Sequence, residues 1–326
     1  MEVAPERWDA LLDELGLVDV YLRREWAESA SVLEPGRAAL LHEGGVAFPA
    51  IVRDLGGGRS DVTTPYGYGG PIAADPSVDP EPFHEAYERW CGENRVVTTF
   101  VRFHPLYANE SYARGFTVER LGGTVAWRLE GDLRGRMHRH HRRAARKAEA
   151  AGVETEVRVA PVELATFVDL YERTMERREA DDFYRFAEPY WDTLLGTLRK
   201  RLVLVEARRS TELLASILCL AARPWLHYHL GASSDEGRKL GASALAFVAA
   251  ALWAQEREYT FFHLGGGVGG RRDSLLEFKQ RFDPHGLLPM AVGKAVHDGA
   301  AYAALSGTDE IGGFFPAYRR PASAAP

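Results

Sequence analysis

The chain has 326 residues, of which 46% are apolar and 26% charged, and its formal net charge at pH 7 is −6. These values are typical of a soluble globular protein with one large or two medium domains. Because the net charge is negative, binding of nucleic acid through the charge of the whole protein is excluded, and any such contact requires a local basic patch.

The cysteines and the N-terminus bear on the cellular compartment. Cys91 and Cys219 lie in apolar surroundings without a CxxC or metal-ligand spacing, which predicts buried thiols in a reduced protein. The N-terminal residues are polar and acidic, unlike a signal peptide, and no apolar run is long enough to span a bilayer. We therefore expect a cytoplasmic protein without a transmembrane segment.

Apolar periodicity in the first half predicts two helices, three strands, a third helix and a fourth strand, at residues 6–15, 21–31, 38–42, 46–52, 61–64, 82–94 and 96–103. The segment TPYGYGGP follows the third strand at residues 64–71. Its glycines predict either an ordered surface loop that presents Tyr66 and Tyr68, or a tight connection in which both rings are packed.

The second half repeats this order of elements. Three strands, a helix and a fourth strand are predicted at residues 202–207, 213–221, 225–230, 240–256 and 259–264. The repeat lies in the pattern and spacing of the elements, and it indicates a structural duplication.

A basic segment lies between the two halves, after a predicted strand at residues 124–129. Residues 134–147 contain seven Arg or Lys and three His, and we predict one helix over residues 134–152 with a basic stripe. This helix either contacts phosphate or RNA, or is a solvated inter-domain helix. A further helix is predicted over residues 162–178. At its end Arg177 and Arg178 either clamp an anionic substrate or pair with acidic residues 181 and 182.

The last predicted strand enters a glycine-rich turn and leaves it through a helix that begins near Asp273. In that helix Phe278 and Lys279 are adjacent, in a chain with only five lysines. A lysine ammonium beside an aromatic ring could stabilise the oxyanion that forms when an amine attacks an acyl carbonyl. The alternative is a lysine on a solvated helix face.

Other motifs in the chain are rejected. The glycines of residues 265–270 satisfy GxGxxG, but no βαβ unit follows them, and Walker A residues are absent. His138, His140 and His141 are no metal site, because their arginine neighbours repel a cation and no carboxylate or cysteine has a ligand spacing. We expect no metal.

The segments YHLGASSDEGRKLGA and GGGVGG to FK, together with the YGYGGP loop and the basic helix, resemble the Fem family of aminoacyl-tRNA-dependent peptidyltransferases, in its compact FemX type. The resemblance implies an α/β fold of mixed sheets, in two tandem acetyltransferase-like (GNAT) domains. We place the N-terminal domain at residues 1–133, the basic connecting helix at 134–160 and the C-terminal domain at 161–326. The implied co-substrate is aminoacyl-tRNA, the acceptor is an amine of a peptide or peptidoglycan precursor, and no cofactor is expected.

The resemblance also implies roles for individual residues. Lys279, Phe278 and Tyr228 match catalytic or site-lining positions, and Lys279 would steady the carbonyl oxygen of the tetrahedral state. Substrate contacts are expected at Arg177, Arg178, Tyr184, Tyr66, Tyr68, His104, Gly266 and Gly267. The tRNA acceptor stem is expected to meet Arg136, Arg139, Arg142, Arg143, Arg146 and Lys147. His104 and Asp273 are candidates for a general base.

The chain departs from the family pattern at two places. His104 in RFHP replaces an acidic residue, and no lysine occurs near Trp26. Recognition of the usual nucleotide-linked cell-wall precursor is therefore in question. The alternative function is an acyl-CoA-dependent N-acyltransferase, because Arg238, Gly241 and Ser243 satisfy part of a loop that holds the CoA pyrophosphate. A third possibility is a non-catalytic RNA-binding or scaffold protein.

Overall fold

The structure is a computed structural model that describes residues 1–178 and 185–320. The chain divides into unit 1, formed by Met1–Leu121 and Pro289–Pro326, and unit 2, formed by Gly122–Leu288. This division differs from the predicted domain boundaries. The basic segment expected to connect two domains at residues 134–160 lies inside unit 2, and the last part of the expected C-terminal domain lies in unit 1.

The described helices are α1 (Pro5–Glu14), α2 (Arg24–Ala30), α3 (Glu81–Glu93), α4 (Leu133–Arg136), α5 (Arg139–Ala150), α6 (Ala165–Arg177), α7 (Glu188–Leu198), α8 (Asp235–Leu240), α9 (Ala242–Gln255), α10 (Ser274–Gln280) and α11 (Gly299–Ser306). Among the residues that the structure describes, no helix combines the length and the apolar composition needed to cross a membrane.

The described strands are β1 (Arg37–Glu43), β2 (Val46–Gly56), β3 (Arg59–Thr63), β4 (Val96–Arg102), β5 (Thr117–Arg120), β6 (Thr124–Arg128), β7 (Glu154–Val159), β8 (Leu202–Arg209), β9 (Glu212–Ala222), β10 (Trp225–Ser233), β11 (Phe261–Gly266), β12 (Leu287–Leu288) and β13 (Ala291–Val296). The predicted elements are present within a few residues, whereas α7, α8, α11, β5, β7, β12 and β13 were not predicted.

Unit 1 contains one mixed sheet in the order β1-β2-β3-β4-β13-β5. Strands β1 to β3 pair antiparallel in sequence, β3 and β4 pair parallel, and β13 pairs antiparallel with both β4 and β5. The β13 strand explains the extent of unit 1, because it comes from the C-terminal part of the chain and completes this sheet. Cys91 lies in the core of the unit as a free thiol, as predicted.

Unit 2 contains a second mixed sheet in the order β12-β6-β11-β10-β9-β8-β7. Strands β8 to β10 pair antiparallel in sequence, and β10 and β11 pair parallel around the crossover helix α9. The predicted duplication is therefore confirmed, because each unit has three antiparallel strands, a helix and a parallel fourth strand. Cys219 is fully buried in the core of unit 2 as a free thiol, as predicted.

Helix α9 is apolar on nearly all its faces, a composition that favours complete burial. One face packs on the sheet, and α5 covers another face with the buried side chains of Ala145 and Ala148. The two helices approach closely at Gly241, where a Cβ atom would lie 2.5 Å from the carbonyl oxygen of Ala144. Small residues thus let the basic helix lie directly against the core of unit 2.

The basic segment forms two helices where the sequence predicted one. Helix α4 ends at Arg136, Met137 is extended with its side chain buried, and α5 begins after His138. The Nδ1 atom of His138 accepts a hydrogen bond from the backbone N–H of His140 at 3.2 Å and so caps α5. Arg136 therefore does not share a helical stripe with the arginines of α5.

Candidate functional site: a buried lysine beside a glycine turn

Strands β10 and β11 pair in parallel only from Trp225 and Phe261 to His227 and His263. Beyond this point β10 has a register shift between Tyr228 and Leu230, where it pairs with β9. Strand β11 has a similar shift against β6 just before Gly265, whose φ of +74° favours a glycine. Backbone irregularities of this kind re-aim side chains at the end of a sheet.

The turn after β11 is closed by Asp273. Its carboxylate accepts hydrogen bonds from the backbone N–H groups of Val268 at 2.8 Å and Leu276 at 2.9 Å. The second bond caps α10 at its N-terminus. A Cβ atom on Gly267 would lie 2.3 Å from the Arg271 carbonyl oxygen, so the turn requires glycine there. Because each carboxylate oxygen holds a backbone N–H, the structure gives Asp273 a positioning role and does not favour it as a base.

Lys279 on α10 has only 6% of its surface exposed. Its Nζ atom donates a hydrogen bond to the carbonyl oxygen of Gly266 at 2.6 Å and lies 5.3 Å from the centre of the Tyr228 ring. Burial lowers the pKa of the ammonium to about 7, although the negative charge of Asp273 opposes this shift. The alternative of a solvated helix-face lysine is therefore wrong. We call Lys279, Tyr228 and Gly266 the lysine site.

The lysine site has the properties of an oxyanion-stabilising group. A protonated lysine has three N–H donors, and in the described part of the chain only Gly266 accepts a hydrogen bond from Nζ. The face of the Tyr228 ring attracts the cation without using an N–H donor in a directed bond. Donor capacity thus remains for an oxygen that gains negative charge nearby, where low polarity would strengthen the interaction.

Phe278 lies beside Lys279 in sequence but contacts a different part of the unit. Its ring packs against those of His141, Phe282 and Phe247, with centroids 4.7, 5.4 and 5.8 Å away. The ring of Tyr228 packs 4.9 Å from Phe247 and carries the lysine on its face. Phe278 therefore anchors α10 in the aromatic core. The ammonium contacts the ring of Tyr228, which was predicted to line the site, and not the adjacent Phe278 ring that the sequence suggested.

The predicted tRNA-binding residues fall into two groups. Arg136 pairs with Asp283 at 3.0 Å, Arg142 donates to the carbonyl oxygen of Gly135, and Lys147 to that of Lys239. The second group is exposed, and its members make no hydrogen bond or ion pair with any residue that the structure describes. This group, which we call the arginine stripe, comprises Arg139, Arg143 and Arg146, spaced to share one face of α5.

The predicted substrate contacts near α6 differ in their surroundings. Arg177 donates to the carbonyl oxygen of Ser233 at 2.8 Å and lies 3.4 Å from the carboxylate of Asp235, so it joins α6 to the end of β10. Arg178 is exposed at the end of α6. The prediction for Tyr184 and the possible partners at residues 181 and 182 lie outside the described residues.

The predicted substrate contacts in unit 1 form part of an aromatic cluster. The rings of Tyr68 and His104 lie 6.0 Å apart, and each lies near the ring of Tyr21. Tyr68 and His104 are buried, and the carbonyl oxygen of Tyr66 accepts a hydrogen bond from the Trp26 indole at 2.8 Å. These contacts favour the packed alternative for Tyr68 over a ring presented on the surface.

The sequence did not single out the role of His141. This residue of α5 is buried, and its Nε2 atom lies 2.9 Å from the carbonyl oxygen of Phe278, so Nε2 donates the hydrogen bond. Burial lowers the pKa of its imidazole to about 4, and the ring is therefore neutral at pH 7. One feature of the sequence could have indicated that His141 is buried. It lies four and seven residues before Ala145 and Ala148, so the three share one helical face within an otherwise charged run.

The segment that partly matches a CoA pyrophosphate loop, Arg238 to Ser243, runs from α8 into the first turn of α9. Arg238 pairs with Asp235 on α8 at 2.6 Å, and Gly241 has a φ of +85° against the backbone of Ala144. The carbonyl oxygen of Lys239 accepts the Nζ hydrogen bond of Lys147 at 2.7 Å. Contacts with α5 therefore occupy one side of this segment.

A family model described as an acetyltransferase (GNAT) domain matches residues 135–279. This stretch includes α5, the four core strands of unit 2, and Lys279. No curated protein matches the chain in sequence.

Solved structures resemble the chain over most of its length. FemX has a TM-score of 0.70 at 14% identity, over 94% of this chain and 99% of FemX. The structure of L-PGS from Bacillus licheniformis has a TM-score of 0.61 at 16% identity, over 90% of this chain and 92% of that chain. The C-terminal domain of a protein named as a lysylphosphatidylglycerol synthetase from Agrobacterium fabrum has a TM-score of 0.60 at 15% identity, over 94% of each chain.

These comparisons define the class of the fold. The chain has two tandem GNAT-like units of mixed α/β structure, and this confirms the fold class expected from the sequence. The resemblance to the Fem family is confirmed in the likeness to FemX, which at this identity is a likeness of fold. Together the fold and the matched domain support an acyltransferase.

Proposed function

We propose that the protein is an aminoacyltransferase that moves an amino acid from aminoacyl-tRNA to an amine of a peptide or peptidoglycan precursor. The observation that carries this proposal is the buried ammonium of Lys279, held between the Gly266 carbonyl oxygen and the Tyr228 ring. The reaction needs no resident cofactor, because the ester that links an amino acid to tRNA is already activated. A cytoplasmic location belongs to the same proposal.

In the proposed reaction the nitrogen of the acceptor amine attacks the ester carbonyl carbon, and a tetrahedral oxyanion forms. The Lys279 ammonium stabilises this oxyanion with an N–H donor that Gly266 does not use. The new bond between the amine nitrogen and the carbonyl carbon becomes the amide bond when the oxyanion collapses and the ester C–O bond breaks. The proton lost by the amine reaches the departing ribose oxygen. The rest of the rate enhancement comes from alignment of the two substrates.

Two features support tRNA as the donor. The arginine stripe lies on α5 of the same unit, exposed and without protein partners in the described part of the chain, as phosphate-binding residues require. The competing donor, an acyl-CoA thioester, would use the segment from Arg238 to Ser243. Contacts with Ala144 and Lys147 of α5 on that segment favour tRNA over CoA.

The test measures transfer to an amine acceptor from two donors, total tRNA charged with a labelled amino-acid mixture and a matched set of acyl-CoA thioesters. The wild type is compared with Lys279→Met and with Lys200→Met, an exposed lysine of unit 2 that serves as the control. We expect label to leave tRNA only with the wild type or Lys200→Met and only when the acceptor is present. Consumption of a CoA thioester in place of aminoacyl-tRNA would establish the alternative N-acyltransferase. A protein that transfers label from neither donor, but binds tRNA with an affinity that Lys279→Met does not change, would be a non-catalytic RNA-binding protein.

A further inference from the structure

Three contacts join the basic segment to α10 and the residues that follow it. His141 Nε2 donates to the Phe278 carbonyl oxygen at 2.9 Å, and the backbone N–H of His138 donates to the Arg281 carbonyl oxygen at 2.9 Å. Arg136 pairs with Asp283 at 3.0 Å, just after α10. The basic segment is therefore fastened to the C-terminal end of the helix that carries Lys279.

The chemistry of a helix end gives these contacts their effect. The last carbonyl groups of a helix lack their i+4 partners within the helix. In α10, which has only seven residues, the Phe278 carbonyl oxygen accepts the backbone N–H of Arg281 at 3.3 Å in addition to the His141 bond. The His141 bond reaches the carbonyl of the residue directly before Lys279. The same imidazole packs 4.3 Å from the Phe282 ring and 4.7 Å from the Phe278 ring, so its donor cannot move independently of α10.

The arginine stripe begins two residues before His141 and continues on the solvent side of the same helix. Arg139, Arg143 and Arg146 are exposed, while His141, Ala145 and Ala148 are buried. One face of α5 is thus available to an anion, and the opposite face contacts α10, the helix that carries Lys279, through His141. Any shift of α5 along its axis moves the His141 donor relative to the carbonyl before Lys279.

We propose that His141 is a positioning residue that couples phosphate binding on the arginine stripe to the placement of the Lys279 ammonium. The proposal rests on the proposed function for the identity of the phosphate ligand, an RNA backbone. An RNA backbone bound to the arginine stripe fixes the position of α5. The His141 hydrogen bond then fixes the C-terminal end of α10, and α10 keeps Lys279 Nζ in contact with the Gly266 carbonyl oxygen and the Tyr228 ring. His141 itself touches no reacting atom.

The test compares three variants of the full chain. His141→Phe keeps an aromatic ring and removes the donor, while His141→Gln places an amide N–H at about the reach of Nε2. His141→Asn carries the same amide one methylene shorter, so that its N–H does not reach the Phe278 carbonyl oxygen. It replaces His141→Phe as the variant without this hydrogen bond if the larger ring prevents folding, as judged by the melting temperature, and 'donor-less' below refers to whichever of the two is used. The first measurement uses no RNA and no substrate. It is the pH dependence of Lys279 acylation by an amine-reactive reagent, read by peptide mass spectrometry.

In this measurement we expect the donor-less variant to shift the apparent pKa of Lys279 upward, towards the ordinary range of lysine, because α10 loosens and water reaches Nζ. His141→Gln should restore the wild-type titration. An unchanged titration in the donor-less variant would overturn the proposal, as would a change of equal size in the donor-less and Gln variants.

The second measurement separates binding from transfer. We expect the donor-less variant to bind aminoacyl-tRNA within about twofold of the wild type but to transfer roughly tenfold more slowly in a single turnover, with most of that loss recovered in His141→Gln. Equal losses of binding and transfer would contradict the coupling. A wild type that transfers nothing from tRNA would refute the proposed function, while the acylation measurement would still decide the role of His141.

Discussion

The Nζ atom of Lys279 lies 2.6 Å from the carbonyl oxygen of Gly266, with 6% of the lysine exposed. The contrast with Lys294, the buried lysine of unit 1, is informative. Lys294 is neutralised by the Glu119 carboxylate at 2.6 Å and also donates to the Gly313 carbonyl oxygen. Lys279 has a neutral carbonyl partner and an aromatic face, so its charge is desolvated without contact with a carboxylate of residues 1–178 or 185–320.

Replacement of Lys279 by Met should lower the rate of transfer about a hundredfold or more, because it removes the donor that stabilises the oxyanion. The measurement is the single-turnover rate at saturating substrates, with melting temperature as a check of the fold. Lys200→Met should retain the wild-type rate. A loss below threefold in Lys279→Met would contradict the catalytic role of the ammonium.

The same lysine should make the stability of the protein depend on pH. Its pKa is about 7 in the folded protein against an ordinary value of 10.5, so between these values the unfolded chain binds more protons. The free energy of unfolding should therefore rise with pH from about 7 to about 10.5, by about 1.4 kcal/mol per pH unit for this one group. Below pH 7 the contribution of Lys279 should not vary.

Urea unfolding of the wild type and of Lys279→Met at pH 6, 8 and 9 isolates this effect from other titrating groups. The difference in unfolding free energy between the two proteins should move in favour of the wild type as the pH rises. A difference that stays constant from pH 6 to pH 9 would show that the buried lysine keeps an ordinary pKa.

Replacement of the arginine stripe by Gln at positions 139, 143 and 146 should weaken RNA binding and reduce its dependence on salt. Each lost phosphate contact should make the negative slope of log affinity against log salt concentration shallower by roughly 0.7 to 0.9. Fluorescence anisotropy of labelled tRNA over a salt series measures this slope. Arg257→Gln, an exposed arginine of unit 2 that lies over the Trp253 ring, is the control. Equal slopes for the triple variant and the wild type would place the RNA contact elsewhere.

Gly241→Ala should destabilise the protein by about 2 kcal/mol or more. The new Cβ atom would lie 2.5 Å from the Ala144 carbonyl oxygen, in a backbone conformation with a φ of +85° that alanine rarely adopts. Gly196→Ala is the matched control, since Gly196 lies exposed on α7 with nothing within 4 Å of the new atom. That variant should be neutral or stabilised by up to about 1 kcal/mol. Similar urea midpoints for both variants would mean that α5 can move away from Gly241.

Much of the fold could be predicted from local pattern. The strands of both halves and their repetition follow from apolar periodicity, which needs only neighbouring residues. Strand β7 was not predicted because its glutamates, threonine and arginine show little of the apolar alternation of a half-buried strand. The sheet that β13 joins could not be predicted, since pairing with β4 depends on a contact between residues far apart in sequence.

The site shows a similar limit. Because Phe278 and Lys279 are adjacent in sequence, they were predicted to act as a pair. Successive residues of a helix, however, point in directions about 100° apart. Phe278 accordingly packs on His141 and Phe282, while Lys279 meets Tyr228 and Gly266. The sequence pattern indicates His141 only as one of three histidines in the basic segment and as a rejected metal ligand. Its hydrogen-bond partner is a backbone carbonyl, a group that no side-chain pattern reveals.

The placement of β13 has a consequence for the order of events on the ribosome. Strands β4 and β5 are synthesised early, but the strand that lies between them comes from residues 291–296. Until the chain has been translated past unit 2, one edge of β4 has no permanent partner, and such an edge can pair with a strand of another nascent chain. Unit 2, whose chain is continuous from Gly122 to Leu288, can therefore complete its sheet before unit 1 does.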